Sequence, residues 1–179
     1  MVKKIVVNWI TYKQAMQKPT SPFTREQLLP KEETLEIAKE KGIPTLLINK
    51  TEFAASGYVE SLKNADIDFI VLAGFLWKVP EVLVNAFPKA IVNIHPALLP
   101  NYGGKGMYGD NIHKLVLSNK EKKTGITFHY VNENYDEGKI IAQYEIEIDG
   151  YETLNSLKKK MSHEELLNYP KKISLYLNE

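Results

Sequence analysis

Apolar residues along this chain fall into two kinds of run. Continuous, β-branched stretches occur at "KKIVVNW" (3–9), "IPTLLIN" (43–49), "IDFIVLAGFLW" (67–77) and "KAIVNIH" (89–95). Runs of that kind predict strands covered on both faces, as in a parallel sheet. Between them lie stretches with helical period. "KEETLEIAKEKG" (31–42) sets Leu35, Ile37 and Ala38 before the stop residue Gly42. "AASGYVESLKNAD" (54–66) puts Tyr58, Val59 and Leu62 on one side, and "VPEVLVNAF" (79–87) is a short helix with Pro80 in its first turn. Later, "DNIHKLVLSNK" (110–120) predicts a helix. "TGITFHYVN" (124–132) and "KIIAQYEIEI" (139–148) predict an antiparallel pair of strands, and Tyr151 to Leu177 a closing helix broken near Pro170. Residues 10–30 have little period and three prolines, which reads as loop with a short helix. Strand and helix alternate without repeat or linker. The reading is one α/β domain over 1–179, with a mostly parallel sheet and helices on both faces.

Composition narrows the function classes. The 179 residues, 44% apolar and 25% charged, are ordinary for one globular domain with a sizeable core. A formal charge of +1 gives no electrostatic reason to expect nucleic acid. Cysteine is absent, which excludes disulfides, thiolate metal sites and a catalytic thiol, and accords with a reducing cytoplasm. The first apolar run is too short for a signal peptide or a membrane span, so no membrane partner is expected.

Open α/β sheets bind ligands at the carboxyl ends of their strands. There the chain reads "IVNIHPALLPNYGGKGMYGDNIH" (91–113). Asn93 and His95 are two residues apart on a strand, so they share a face. An amide with two donors beside an imidazole suits a developing oxyanion, as in acyl transfer. Metal binding is the weaker reading, because His95, His113, His129 and His163 have no close paired spacing. A carboxylate could keep the histidine charged, and Asp136 stands in the turn-prone Asp-Glu-Gly of "NENYDEGKII". Duller readings exist beside these: Asn93 as a strand-end cap, His95 as a satisfied buried histidine, His129 as structural, and His113 and His163 as ordinary helix residues. "GGKG" (103–106) lacks the spacing of a phosphate-binding P-loop and reads as a flexible lid.

Three segments, "VLAGFLWKVP", "IVNIHPALLPNYGGKG" and "GITFHYVNENYDEGKIIAQ", together resemble the folate-dependent formyltransferases, those that act on glycinamide ribonucleotide most closely. The resemblance runs from about Leu35 to the closing helix. It implies a Rossmann-like formyltransferase fold and a formyl group passed from 10-formyltetrahydrofolate, a cosubstrate, to an amine, with no metal. By position it makes Asn93, His95 and Asp136 catalytic. Asn93 and protonated His95 would hold the oxyanion while Asp136 keeps the ring charged and helps relay the amine proton through water. The "AGFLWKV" and "VNENYD" loops would form the pterin slot, walled by Phe75, Leu76, Val79 and Val131, with Glu133 and Asp136 on the same side. Pro96 and Glu165 would face the acceptor, Glu165 matching an acidic contact to sugar hydroxyls. A monomer or homodimer is expected.

The chain departs from that pattern near its start. The family usually opens with a strand and a Gly-Ser-Gly-rich loop that holds the acceptor's phosphate at a helix N-terminus. Here the first glycine is Gly42. Either "KKIVVNW" is the family's first strand with the loop rewritten, or the chain begins at the second strand. Trp77 and Met107–Tyr108 also stand where relatives often carry basic residues and histidine. These departures bear on the acceptor more than on the formyl chemistry. Another amine such as an amino sugar, hydrolysis of formyltetrahydrofolate, and a non-catalytic relative therefore stay open.

Overall fold

The structure, a computed structural model, describes the backbone of residues 5–9, positions 36, 39, 40, 42 and 44–46, and residues 48–178. Its elements are β1 (Ile5–Trp9), α1 (Lys50–Ala54), α2 (Ser56–Asn64), β2 (Phe69–Ala73), α3 (Glu81–Ala86), β3 (Ile91–His95), α4 (Asp110–Ser118), β4 (Lys123–Tyr130), β5 (Ile140–Glu147) and α5 (Leu154–Asn178). The strands lie in the order β1-β2-β3-β4-β5. β1, β2 and β3 pair in parallel, β4 runs antiparallel to β3, and β5 runs antiparallel to β4. Among the described residues only β4 therefore runs against the rest, as the expectation of a mostly parallel sheet with a late antiparallel pair requires.

Alternation along β2 and β3 sorts the core into two layers. Ile70, Leu72 and Ile91 pack with Phe53, Val59, Leu62 and Leu83 under α1, α2 and α3. Phe69, Val71 and Val92 face the other way, toward Tyr169 and Ile173 of α5. On that same side Ile94, Ile126 and Phe128 pack with Ile112 and Val116 of α4 and with Leu157 and Met161 of α5. Each fully buried aliphatic side chain contributes roughly 1.5–3 kcal/mol relative to exposure, so these layers supply the main driving force of folding.

Several elements differ from the sequence reading. The strand expected over 43–49 does not form at any described position. Leu46 is 62% exposed, and Asn49 instead caps α1, its side chain accepting from the N–H groups of Thr51 and Glu52 while Glu52 accepts from Asn49 N–H. An apolar run without a strand partner loses to a capping box that satisfies three orphan donors. Pro80 is the N-cap of α3 rather than a residue of its first turn. The closing helix is continuous through Pro170. A proline there removes one main-chain bond, but Tyr169 and Ile173 on either side are held against β2 and β3, and the Tyr169 hydroxyl donates to the Leu72 carbonyl at 2.5 Å. Of the helix expected over 31–42, the described positions 36, 39 and 40 are helical and Gly42 ends it at φ +64°. Residues 10–30, where the loop reading and the missing phosphate loop fall, lie outside the described residues.

Candidate active site

Residues directly opposite in an antiparallel ladder point to the same face. β3 and β4 pair Asn93 with His129 and His95 with Thr127. Four polar side chains therefore share one face at the carboxyl end of β3. Thr127 and His129 are 0% and 2% exposed, so every polar atom there needs a partner.

Thr127 finds three. Its hydroxyl donates to the Ala97 carbonyl at 2.6 Å and accepts from Leu99 N–H at 3.0 Å and from Gln143 Nε2 at 2.9 Å. Gln143 also donates to the Leu99 carbonyl at 2.8 Å. The loop after His95 is thereby fastened to β4 and β5, and Pro96 is set in the wall of the site.

His129 Nδ1 lies 2.7 Å from the Tyr130 carbonyl. A carbonyl only accepts, so Nδ1 carries hydrogen. In the neutral ring Nε2 is then bare, and it accepts from Asn93 Nδ2 at 3.2 Å. Burial lowers the His129 pKa, against the Tyr130 carbonyl and the Asp136 charge that raise it, which favours this neutral form. His129 thus orients the Asn93 amide.

His95 is 4% exposed. Its Nε2 donates to the Tyr102 carbonyl at 2.8 Å, and Nδ1 lies 3.4 Å from Asp136 Oδ1. Asp136 Oδ2 accepts from Gly104 N–H at 2.9 Å, and Oδ1 is 3.6 Å from His129 Nε2. Burial pushes the Asp136 carboxyl up, but the hydrogen bond to His95, the His95 charge and the Gly104 N–H outweigh it and hold it below its ordinary value. Asp136 sits at φ +57°, a region aspartate tolerates better than most residues and one that often marks functional loops.

These groups border a cavity of about 750 Å³, within the range of small-ligand sites. Asn93, His95 and Asp136 line it together with Phe75, Leu76 and Pro96. Lys105, from the glycine loop, lines it too. Glu165 and Tyr169 of α5 line it as well. Burial lifts the Glu165 carboxyl to about 7, and burial together with the Glu165 charge pushes the Tyr169 hydroxyl up. A smaller space of about 40 Å³ adjoins, between the loop after β2 and the loop after β4, lined by Val79 and Val131. Phe75, Asn93, Tyr135 and Asp136 border both spaces. The two loops expected to form a pterin slot do meet there, yet the space is too small for a bicyclic ring unless they part. Phe75 also packs on Phe53, ring centroids 4.9 Å apart. Glu133 is exposed and lines neither space.

Among the described residues no cluster of histidine and acidic side chains could hold a metal ion. A family model described as formyl transferase matches residues 16–173. The chain belongs to the formyl transferase family. It is 44% identical over 136 residues to the chloroplastic phosphoribosylglycinamide formyltransferase of Arabidopsis thaliana, covering 73% of this chain and 47% of that one. It is 36% identical over 129 residues to the phosphoribosylglycinamide formyltransferase of Bacillus subtilis, covering 72% and 63%. The chain thus spans about half the length of the plant relative and under two thirds of the bacterial one. Among solved structures, the phosphoribosylglycinamide formyltransferase of Bacillus halodurans superposes with a TM-score of 0.70 at 34% identity, covering 79% of this chain and 73% of that one. The polar row that sequence reasoning missed is His129, Thr127 and Gln143. Only the strand register joins them to Asn93 and His95. No described helix is long and apolar enough to cross a membrane.

Proposed function

We propose that this protein transfers a formyl group from 10-formyltetrahydrofolate to the amine of glycinamide ribonucleotide, a step of purine biosynthesis, and that it does so in the cytoplasm. The observation that carries the reading is convergence. Asn93 and Asp136 border both the large cavity and the adjoining slot, and His95 lines the large cavity with them, so two ligands approaching from the two sides would meet at these groups. The names of the relatives support the choice of acceptor, and the absence of cysteine suits a reducing compartment.

The donor supplies an activated formyl group; the chain supplies the environment. Phe75, Leu76 and Pro96 offer an apolar wall that excludes water beside the reacting carbon. Asn93 Nδ2 has a second N–H beyond the one given to His129, and that N–H can stabilise an oxyanion as the amine adds. His95 has both ring nitrogens engaged, by the Tyr102 carbonyl and by Asp136, and acts on the same developing charge electrostatically, through the ring as a whole. Asp136, kept ionised by its surroundings, takes up the amine proton through water, and that proton passes to the folate nitrogen as its bond to the formyl carbon breaks and tetrahydrofolate leaves. Glu165 and Lys105, which both line the cavity, would meet the polar parts of the acceptor.

The test is a formyl-transfer assay on the purified protein with a panel of amines, reading release of tetrahydrofolate. Turnover with glycinamide ribonucleotide well above that with amino sugars or with water is expected. Equal tetrahydrofolate release with no amine added would make the protein a hydrolase and overturn the proposal. Separate calorimetric titrations of folate and ribonucleotide then assign each ligand its own affinity.

A further inference from the structure

His95 is enclosed by two acceptors. Nε2 meets the Tyr102 carbonyl at 2.8 Å and Nδ1 meets Asp136 at 3.4 Å. A carbonyl and a carboxylate both only accept, so the pair is satisfied together when both ring nitrogens carry hydrogen. One acceptor alone would be met by a neutral ring. The Tyr102 carbonyl is thus the half of the clamp that Asp136 does not provide.

That carbonyl is aimed from a distance. Tyr102 lies in the left-handed region at φ +58°, which a bulky residue occupies only where its surroundings hold it there. Its hydroxyl donates to Glu121 Oε1 at 2.6 Å and accepts from Asn119 Nδ2 at 2.8 Å. Burial and the Glu121 hydrogen bond push the Tyr102 hydroxyl up, against Asn119, so it stays a donor at any working pH. Asn119 and Glu121 follow directly on α4, and their own N–H groups are tied to the Leu115 and Val116 carbonyls. Val116 is 0% exposed in the core, so the anchor is fixed to the hydrophobic layer.

We infer that Tyr102 is a positioning residue. Its phenol, held by Glu121 and Asn119 at the end of α4, fixes the main-chain carbonyl that holds His95 Nε2–H and so sets the ring's orientation and hydrogen placement. The inference rests on the formyl-transfer reading for its kinetic consequence only. The titratable groups around the ring, Asp136, His129 and His113, are all retained in the variants below.

The experiment uses Tyr102→Phe and, because a change in a half-buried aromatic can disturb packing, Asn119→Ala and Glu121→Gln as well. Nitrogen-15 NMR of the histidine rings reads His95 directly, without any substrate. In Tyr102→Phe the His95 Nε2 resonance should move away from its hydrogen-bonded position, and the two-nitrogen coupling pattern should show mixed tautomers. Kinetically, kcat should fall roughly five- to tenfold with KM within twofold, and the pH–rate profile should shift. Glu121→Gln, which can still accept from the phenol, should recover most of the wild-type spectrum. Wild-type His95 resonances and an unmoved pH profile in both Tyr102→Phe and Asn119→Ala would overturn the inference. If the NMR changes appear but the wild-type protein transfers no formyl group, the positioning role stands and the proposed function falls.

Discussion

Across the β3–β4 ladder, the Asn93 amide donates to His129 Nε2 at 3.2 Å, and His129 in turn is fixed by donating Nδ1–H to the Tyr130 carbonyl. The amide's orientation is therefore set by a chain of two hydrogen bonds ending on the backbone. Asn93→Ala should lower turnover about a hundred- to a thousandfold, the usual cost of removing an oxyanion donor. His129→Leu leaves the amide in place but free to rotate, so we expect about a tenfold loss in kcat with little change in KM. His129→Gln, whose side-chain oxygen can still accept, should recover part of it. A His129→Leu protein with wild-type kcat would remove His129 from any orienting role.

Asp136 provides a pH test whose sign is fixed. Its folded-state pKa lies below the ordinary carboxylate value, so the unfolded chain binds the proton first as pH falls. The stability it contributes is complete above the ordinary value and is lost as pH drops through the depressed one. Asp136→Asn should thus be less stable than wild type at pH 7, with the gap closing toward acid. Urea midpoints at pH 7, 5 and 3 read this. The same variant should shift the pH–rate profile, because His95 loses one of its two acceptors. A stability gap that stays constant across the three pH values would mean the loss comes from packing and not from the charge.

His113 acts in the same direction from another layer. It is 0% exposed on α4, and burial lowers its pKa to about 4, against the Asp110 charge that raises it. The unfolded histidine, near 6.5, takes up its proton sooner. Stability should therefore fall between pH 6.5 and 4 as the folded ring resists charging. In His113→Leu that part of the acid slope should disappear, as seen in melting temperatures over the same range. An unchanged slope would place the acid sensitivity elsewhere.

Much of this was legible in the sequence, and the rest was hidden for identifiable reasons. Continuous β-branched runs enclosed β2 and β3, overrunning β2 by two residues at its start and four at its end and β3 by two at its start, because burial on both faces leaves a continuous apolar pattern. Asn93 and His95 were legible because strand period alone places them together. Asp136 was legible as a carboxylate in a turn. His129, by contrast, read as a mid-strand structural residue. Its link to Asn93 depends on the register of an antiparallel pair, and register is a tertiary property. The role of Tyr102 was out of reach because it works through a main-chain carbonyl, which every residue has. The expected strand at 43–49 had a readable competitor: Asn49 followed three residues later by Glu52 is a capping signature. Pro170 was read as a break because local propensity ignores what Tyr169 and Ile173 gain on β2 and β3.

Glu165 provides the last prediction. It faces the large cavity from α5, and burial alone lifts its carboxyl from 4.5 to about 7. A raised carboxyl binds its proton more tightly folded than unfolded, so the stability Glu165 contributes is complete below about 4.5 and is lost as pH rises toward 7. The half-buried side chain still meets some solvent, so the cost above pH 7 is on the order of 1–2 kcal/mol. Glu165→Gln keeps the size and removes the charge. It should be more stable than wild type at pH 8 and equal to it at pH 4. The acceptor side should pay for that gain. If Glu165 meets hydroxyl groups as a carboxylate, the variant's KM for the ribonucleotide should rise about tenfold at pH 8 while folate affinity stays the same. Melting curves at the two pH values and KM at pH 8 read both halves. Equal stability of the two proteins at both pH values would show that Glu165 is not strained by burial, and an unchanged KM would remove it from the acceptor's site.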